Sequence, residues 1–339
     1  MRYLKTIGIN SNQPIGRGFN FPYDVSFSKD GRIFLINRAS VADVTRRATR
    51  IQIFDFDEEW LGEFASSGRY PVGDTIDLFR SPVSISFDQQ DKVYITDEIL
   101  NEVKIFDSNG NFLNKWGAEK GNVHELDGPS GIAHGLDGTV FVVEQFANRV
   151  SNLTKDGELI RSWGSFGSDP GQFDTPWGVT VDVKGNVYVA DWKNDRIQKF
   201  GSDGLFLESF GQSGNGRGQF HRPSSVAVDS KGVIFVADWG NERVQVLDPN
   251  GNCLQILHGE ATLSKWAEEW LEVNQDEYDL RKSSNLSVKD LPKHLQSIYH
   301  VSSQTEPLFW GPVSVKLDSE ERLFVTEHSR HRIQIYEQS

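Results

Sequence analysis

Two stretches of this chain share one pattern: VADWKNDRIQKF at Val189–Phe200 and VADWGNERVQVL at Val236–Leu247, 47 residues later. In both, valine, alanine, aspartate and tryptophan precede asparagine, an acid, arginine, a β-branched residue and glutamine. Repetition at a fixed period of about 20–50 residues is the mark of a repeat architecture. The extent of this repeat therefore decides the fold.

Two independent markers follow the repeat along the sequence. One is the proline that opens a short apolar segment, and the other is the polar residue that closes the next segment. The prolines are Pro22, Pro82, Pro129, Pro176, Pro223 and Pro312, and the polar residues are Asn37, Asp97, Glu144, Asp191, Asp238 and Glu327. Both sets are spaced by 60, 47, 47, 47 and 89 residues. Six repeats, each with four short strand-like runs separated by Gly, Asp and Asn turns, predict an all-β, six-bladed β-propeller.

The last repeat ends in RIQIYEQS and is one strand short, whereas YLKTIG (Tyr3–Gly8) matches the fourth run LFLESFG (Leu205–Gly211). We expect this N-terminal strand to complete the sixth blade, a three-plus-one closure that covers an otherwise exposed sheet edge. The expected organisation is one domain over residues 1–339. Its blades span about 19–64, 79–117, 126–164, 173–211, 220–258, and 309–339 plus 2–8, with a helical insertion at about 259–308.

The pattern GQFDTPWGVTVDVKGNVYVADWKNDRIQKFGSDG resembles the NHL-repeat family of six-bladed propellers over nearly the whole chain. That resemblance implies the fold and leaves the function open. Among similar propellers, the peptidyl-hydroxyglycine lyases carry zinc-binding histidines after the opening proline of several blades. This chain departs from that pattern, because the six matching positions hold Tyr23, Val83, Ser130, Trp177, Ser224 and Val313. The departure argues against such a zinc site.

Insertions of eight, five and 42 residues interrupt the repeat. All three fall in connections that emerge on one face of a four-stranded antiparallel blade, which marks that face as the functional one. Within the longest insertion, SKWAEEWLEV and LPKHLQSIYH have helical apolar spacing, and Pro292 suits a first helical turn. Two short helices over the propeller mouth would form a lid, a docking ledge or a structural patch.

Acid–arginine pairs at one spacing recur in four blades: Glu144–Arg149, Asp191–Arg196, Asp238–Arg243 and Glu327–Arg332. A feature present in most blades indicates scaffold rather than an active site. We expect the acid to accept hydrogen bonds from the adjoining loop and the arginine to pair with it. The repeated stretch is thus mainly a building block.

Residues that differ between blades are the better candidates for a binding site. The positions after each closing acid and each opening proline should surround the mouth on the face that carries the insertions. There, Trp177, Trp192 and Trp239 would offer flat surfaces to a sugar, an aromatic group or a cation, or would pack under the inserted helices. The polar side would hold Tyr23, Arg38, Glu98 and His328.

A bound divalent cation is the main alternative, because the lactonase-type six-bladed propellers hold calcium at the axis. Oxygen ligands would come from Asn37, Glu98, Glu144 and Glu327, a set that favours Ca²⁺ over Zn²⁺. His328, with His331 nearby, would then serve as general acid or base, and Glu98 as a second catalytic residue. His134 stands where other blades have Val or Leu, and we interpret it as a satisfied interior histidine rather than a functional one.

Charge and composition narrow the partners. The chain has 35 basic and 48 acidic residues, a net charge of −13, which disfavours nucleic acid despite the cluster Arg38, Arg46, Arg47 and Arg50. That cluster is either a clamp for carboxylate or phosphate or a solvated loop. Cys253 is the only cysteine, so no intrachain disulfide can form, and no secretion signal or membrane span is visible. A cytoplasmic location is expected.

These observations lead to three functional hypotheses. The first is a propeller that binds a small molecule or peptide in a partly lidded pocket. The second is a metal-dependent lyase or lactone-type hydrolase, and the third an RNA-binding propeller. No nucleophile motif, P-loop or dinucleotide fingerprint occurs in the sequence.

Overall fold

The computed structural model describes residues 1–39, 48–66, 78–118, 124–286 and 290–338. These residues form six antiparallel sheets of four strands each, arranged as a six-bladed propeller. The prediction of an all-β propeller is therefore confirmed. In the described part of the chain, no helix has the length and apolar character needed to cross a bilayer.

Each of blades one to five uses four consecutive strands, whereas blade six takes its outermost strand from the N-terminus. The strands are β1 (Arg2–Ile7), β2 (Pro22–Phe27), β3 (Ile33–Asn37), β4 (Arg50–Phe54), β5 (Trp60–Phe64), β6 (Pro82–Phe87), β7 (Val93–Asp97), β8 (Glu102–Phe106), β9 (Phe112–Trp116), β10 (Pro129–His134), β11 (Val140–Glu144), β12 (Arg149–Leu153), β13 (Leu159–Trp163), β14 (Pro176–Val181), β15 (Val187–Asp191), β16 (Arg196–Phe200), β17 (Phe206–Phe210), β18 (Pro223–Val228), β19 (Ile234–Asp238), β20 (Arg243–Leu247), β21 (Cys253–Leu257), β22 (Pro312–Leu317), β23 (Leu323–Glu327) and β24 (Arg332–Glu337). In blade six the order is β1-β24-β23-β22, with β1 antiparallel to β24.

The core lies between neighbouring blades rather than on one side of a sheet. Second strands such as β15 and β19 are buried at every residue, because each is covered on both faces. The clusters confirm this arrangement: Val140 and Val142 of blade three pack with Tyr94 and Val103 of blade two. Both faces of these strands are therefore apolar, which explains their nearly continuous runs of apolar residues.

The repeated acid–arginine pairs form ion pairs and hydrogen bonds inside the blades. The Arg196 guanidinium donates to Asp191 at 2.8 Å and also to the carbonyl oxygens of Ser168, Asp169 and Gln172. The Asp191 carboxylate is fully buried and accepts from the backbone N–H of Asp174. The same ion pair recurs at Asp238–Arg243, Glu144–Arg149 and Glu327–Arg332. The prediction that these pairs are scaffold is confirmed.

A second set of hydrogen bonds joins consecutive blades at five of the six junctions in the described structure. Four residues after the closing acid, a side chain accepts from the backbone N–H that precedes the opening proline of the following blade. The bonds are Asn101–Gly128 at 2.9 Å, Asn148–Thr175 at 2.8 Å, Asp195–Arg222 at 2.7 Å, Glu242–Gly311 at 2.5 Å and His331–Phe21 at 3.0 Å. The last of these joins blade six to blade one, where the acceptor is an imidazole Nδ1.

The long insertion contains α1 (Lys265–Val273), α2 (Gln275–Ser283) and α3 (Ile298–Gln304). Helix α1 is capped by Ser264, and it buries Trp266 against Ile7, Phe19 and Phe54 between blades six and one. This helix therefore packs at the outer edge of the propeller and not over the mouth, which agrees with the structural-patch alternative and not with a lid. The sequence predicts the apolar stripe of this helix, but periodicity does not indicate which groove the stripe fills.

Helix α3, which corresponds to the second helix predicted in the insertion, starts later than the sequence suggests. Ser297 caps α3 by accepting from the His300 N–H, and a 3-10 turn covers Lys293–Leu295. Pro292 precedes that turn with an extended backbone, so it does not begin an α-helix. Helix α2 was not anticipated, because it is almost entirely polar and buries none of its residues.

The innermost strands approach closely at the axis, and Gly178 makes this possible. An added Cβ at Gly178 would lie 2.6 Å from the Ser224 carbonyl oxygen and 2.9 Å from Ser225 Cα. Because both contacts are backbone, we expect Gly178→Ala to lower the free energy of unfolding by about 2 kcal/mol, as overpacked sites do. Urea unfolding would measure the loss. Gly216→Ala is the control, since its methyl group would meet only the flexible side chain of Gln219.

Candidate functional site

We call the propeller face that carries the residues after the opening prolines and closing acids the upper face. An aromatic cavity of about 140 Å³ lies at its central opening, the upper mouth. Its described lining consists of Tyr23, Trp177, Trp192, Ser224, Trp239, Val313 and His328. The structure thus brings together five of the residues that the sequence placed at the mouth. They come from blades one, four, five and six, and each directly follows an opening proline or a closing acid.

The aromatic rings of the cavity stand at angles rather than stacking on each other. Trp192 and Trp239 lie with ring centroids 6.2 Å apart at 43°, and Tyr23 faces Trp177 at 6.5 Å and 48°. Trp192 and Trp239 each open a short 3-10 turn after their blade acid, which projects their rings over the mouth. Tilted rings leave π-faces available to a ligand.

His328 closes the polar side of the cavity and is electrically neutral near pH 7. Its ring meets Tyr23 edge-on at 5.6 Å and Phe21 at 4.9 Å. Burial, with the nearby His331 and Arg38, lowers the pKa of His328 to about 4. Burial also raises the pKa of the Tyr23 phenol, which therefore stays protonated. The cavity is thus uncharged at its surface, apart from what its rim supplies.

Arg38 and Glu98 lie behind Tyr23 and are not part of the described lining. The Arg38 guanidinium sits 4.5 Å from the Tyr23 ring centroid and forms an ion pair with Glu98. Glu98 also accepts from Ser81 at 3.0 Å and from Gln145 at 2.8 Å. This network supports Tyr23. It occupies the carboxylate suggested above as a second catalytic residue.

The other oxygen ligands suggested for a metal are used inside their blades. Glu144 is fully buried and bonded to His124, Arg149 and Ser151, which together lower its pKa to about 2 despite the opposing effect of burial. Glu327 accepts from Arg332, Gln334 and the Trp310 N–H.

Asn37 is likewise internal, since it accepts from the Asn20 N–H and donates to Gln52. In the ranges that the structure describes, no three His, Cys, Asp or Glu side chains converge as a metal cluster would. We therefore do not propose these carboxylates as metal ligands.

Helix α3 approaches the cavity, although α1 does not. It contacts the 3-10 turn that carries Trp239, and Arg330 fixes it by donating to the carbonyl oxygens of Ser302 and Ser303. Arg330 also lies over the Trp310 ring, which in turn packs on Tyr299. One helix of the insertion thus borders the tryptophan side of the mouth.

Arg222 is the rim residue that sequence reasoning missed. Its guanidinium lies 4.7 Å from the Trp192 ring centroid, and its side chain is exposed. No ion pair or hydrogen bond joins that guanidinium to any residue in the described ranges. Its position in the repeat was the signal that could have identified it. Arg222 directly precedes the opening proline of blade five, and Ser224 of the lining directly follows that proline.

The first-insertion arginines do not form a free clamp. Arg46 and Arg47 lie outside the described residues. Arg50 is fully buried, pairs with Glu63 at 3.2 Å and donates to the Gly18 carbonyl oxygen. Arg38 is held by Glu98, as described above. Neither described member is therefore available to a ligand phosphate.

Comparison with known proteins supports the fold and leaves the site open. A model of the NHL repeat matches residues 173–200 and 220–247, so the chain carries NHL repeats in blades four and five. No curated protein matches the chain significantly.

Similar solved structures are propeller proteins of low sequence identity. A catalytically inactive virginiamycin B lyase from Staphylococcus aureus with quinupristin is 13% identical, with a TM-score of 0.57 over 98% of this chain and 99% of that one. A streptogramin B lyase is 12% identical, with a TM-score of 0.55 over 97% and 96%. A protein of unknown function from Bacteroides thetaiotaomicron is 15% identical, with a TM-score of 0.62 over 98% and 75%. At these identities the likeness shows the fold alone.

Proposed function

We propose that this NHL-repeat propeller is a binding protein whose upper mouth holds an aromatic group of a small molecule or peptide. We further propose that Arg222 pairs with a carboxylate of that ligand. The observation that carries the proposal is the aromatic cavity lined by Tyr23, Trp177, Trp192, Trp239 and His328. A cytoplasmic location stays a prediction from the sequence.

The size of the cavity limits the ligand. Its volume of about 140 Å³ is close to that of an engineered apolar cavity of about 150 Å³ that binds benzene. One aromatic ring therefore fits inside, and the rest of a larger ligand would lie on the rim. This favours an aryl group or an aromatic side chain over a large ligand enclosed as a whole.

The charges at the mouth decide between a cationic and an anionic ligand. Aromatic cages bind cations well when no positive charge is nearby. Here Arg38 is neutralised by Glu98, but the Arg222 guanidinium at Trp192 has no carboxylate partner in the described structure. An ammonium ligand would be repelled by Arg222, whereas a carboxylate would form a charge-assisted hydrogen bond with it.

Isothermal titration calorimetry with phenylacetate, 2-phenylethanol and phenethylammonium tests this proposal. We expect phenylacetate to bind best and phenethylammonium worst. Trp192→Ala should weaken binding of phenylacetate and 2-phenylethanol, because it removes a wall of the cavity. Arg222→Gln should weaken only phenylacetate, by about tenfold, the effect of one charge-assisted hydrogen bond.

Trp270→Ala is the matched control, since Trp270 is a half-exposed tryptophan on α1 away from the cavity. This variant should bind as the parent protein does. Tightest binding of the ammonium probe, or equal binding by the Trp192 and Trp270 variants, would contradict the proposal.

A further inference from the structure

A second cavity, of about 230 Å³, opens at the lower end of the propeller axis. It is lined by the fifth and sixth residues of several innermost strands, including Ser26, Ser86, Thr180, Lys316 and His134. The upper cavity is lined by the second residues of such strands. At about 3.3 Å per residue along a strand, the two cavities are separated by roughly 10 Å.

Two side chains of this lower cavity depart from the repeat. At the fifth strand position, Lys316 replaces the Ser, Ala or Thr of the other blades. At the sixth position, His134 replaces Phe, Val or Leu. Both departures face the same cavity, although they come from blades six and three. The scaffold does not require either residue, because the other blades form the same strands without them.

Lys316 brings hydrogen-bond donors to the cavity without an excess of positive charge. Its ammonium lies 3.4 Å from the Asp24 carboxylate. Asp24 in turn accepts from Ser84 at 2.8 Å, Ser314 at 2.5 Å and the Ile85 N–H at 3.0 Å. Since one carboxylate balances the ammonium, the bottom of the cavity is close to neutral while N–H donors of Lys316 remain.

His134 is held neutral with one ring nitrogen unpaired. Burial lowers its pKa to about 4, helped by Lys316 and opposed by Asp88. Its Nδ1 bonds to the Ser86 hydroxyl at 3.0 Å, and its Nε2 is buried with no hydrogen-bond partner among the described residues. This nitrogen is closed off from the cavity, and the His134 ring meets the Tyr94 ring at 4.7 Å, so other atoms of His134 line the cavity. The expected interior histidine is therefore found, with one of its two ring nitrogens bonded.

The surroundings disfavour a charged ligand. A groove of about 530 Å³ adjoins the cavity and shares Ser26, Phe27, Ser86, Phe87 and Leu317 with it. Four carboxylates line that groove, namely Asp88, Asp91, Asp318 and Glu320, against the cations Lys29 and Arg322. An anion would therefore approach through a negative rim, and a cation would find no carboxylate in the described lining of the cavity itself.

We propose that the lower cavity binds a small, neutral, hydroxyl-rich ligand of monosaccharide size. Lys316 Nζ and the hydroxyls of Ser26 and Thr180 offer polar partners for its hydroxyl groups. Phe27, Phe87, Val181 and Leu317 form an apolar collar for its C–H face. The cavity far exceeds the roughly 10–15 Å³ that one water needs, so a ring-sized molecule fits. This site does not depend on the function proposed for the upper mouth.

NMR detection of the His134 imidazole resonance tests the proposal. One panel of probes contains neutral monosaccharides and myo-inositol, and a parallel panel contains acetate, lactate and pyruvate. The His134 resonance is assigned by its loss in His134→Val, the residue that blades four and five carry at this position. We expect at least one neutral probe to shift that resonance saturably, with a millimolar Kd. Lys316→Met should weaken this binding at least tenfold.

Lys29→Met is the matched control, because Lys29 lies on the same face in the adjoining groove and should not affect binding. Trp192→Ala should also leave it unchanged, which separates this site from the upper one. If Lys316→Met alone unfolds the protein, the charge-balanced double variant Asp24→Asn/Lys316→Met replaces it. Saturable binding of carboxylates alone, or no saturable shift with any probe, would overturn the proposal and leave a water-filled channel mouth.

Discussion

Deletion of residues 1–7 is expected to abolish the cooperative unfolding transition of this propeller. The deleted residues include β1, the outermost strand of blade six, which pairs with β24 from Arg2–Glu337 to Ile7–Ile333. Its loss removes Ile7, a fully buried member of the cluster with Phe19 and Trp266, and uncovers the edge of β24. Circular dichroism during heating would show a broad, early loss of structure in place of a sharp melt.

The size of this effect follows from the stability of ordinary domains. Burying one isoleucine contributes about 2–3 kcal/mol, and the deletion also removes the backbone pairing of a whole strand. The total exceeds about 5 kcal/mol, whereas native proteins are stable by only about 5–15 kcal/mol. An open edge on β24 would in addition promote aggregation.

Moving the deleted segment to the other end of the chain should restore folding. In blade four, Phe200 pairs with Phe206 across five intervening residues, 201–205. In blade six, Tyr336 pairs with Tyr3. Joining residue 339 directly to residue 1 leaves residues 337, 338, 339, 1 and 2 between them, also five. A chain of residues 8–339 followed directly by residues 1–7 would therefore contain a normal hairpin, and should melt within a few degrees of the parent protein.

The matched control carries a seven-residue Gly/Ser segment at the same place and should behave like the deletion. Equal melting of the parent, the deletion and the control would contradict the role of β1. Failure of the moved-strand chain, with the parent folded, would contradict the inferred five-residue turn.

Acidification from pH 6.5 to pH 4 is expected to destabilise the protein through three buried histidines. Burial lowers the pKa of each of His134, His328 and His331 to about 4. In the unfolded chain these groups titrate near 6.5. Between the two values the unfolded state binds protons that the folded state excludes, so stability falls as pH falls. At about 1.36 kcal/mol per unit, each histidine contributes up to about 3 kcal/mol.

Glu242 acts in the opposite direction. Burial raises the pKa of Glu242 to about 7, although the Gly311 N–H that bonds to it favours the charged form. Its folded-state pKa therefore lies above the unfolded value, and its contribution is lost as pH rises from about 4.5 to 7. The whole pH profile is thus a difference of opposing groups, and single variants are needed to isolate each histidine.

His331→Asn isolates the histidine that fastens blade six to blade one. Asn101 and Asn148 make the same bond in other blades, so this variant keeps an acceptor for the Phe21 N–H while removing the titration. We expect urea unfolding to give stabilities within about 1 kcal/mol of each other at pH 7.5. Near pH 4.5 the variant should be the more stable by about 2 kcal/mol.

His294→Asn serves as the control, because His294 is exposed on the insertion and should not change the pH dependence. A parallel loss of stability on acidification in the parent and in His331→Asn would refute a role for His331. His328 titrates in the same direction, since burial, His331 and Arg38 all lower its pKa.

Several features of the site were accessible from repeat positions alone. Tyr23 and Trp177 follow opening prolines, and Trp192, Trp239 and His328 follow closing acids. Because equivalent positions of a closed repeat point to the same axis, such residues meet even when far apart in sequence. Arg38 occupies an equivalent position, but its ion pair with Glu98 draws it behind Tyr23, and no spacing rule reports that preference.

The sequence is sufficient to predict the six sheets, because proline and acid markers recur in step with four apolar runs per repeat. It also determined that the repeated acid–arginine pairs are structural, because identical residues in most blades serve the blade. Packing in the folded chain is needed to place α1 at the edge between blades six and one and to bring Lys316 and His134 to one cavity. Those outcomes depend on which surfaces remain uncovered once the ring closes, and periodicity along one chain carries no information about contacts between distant blades.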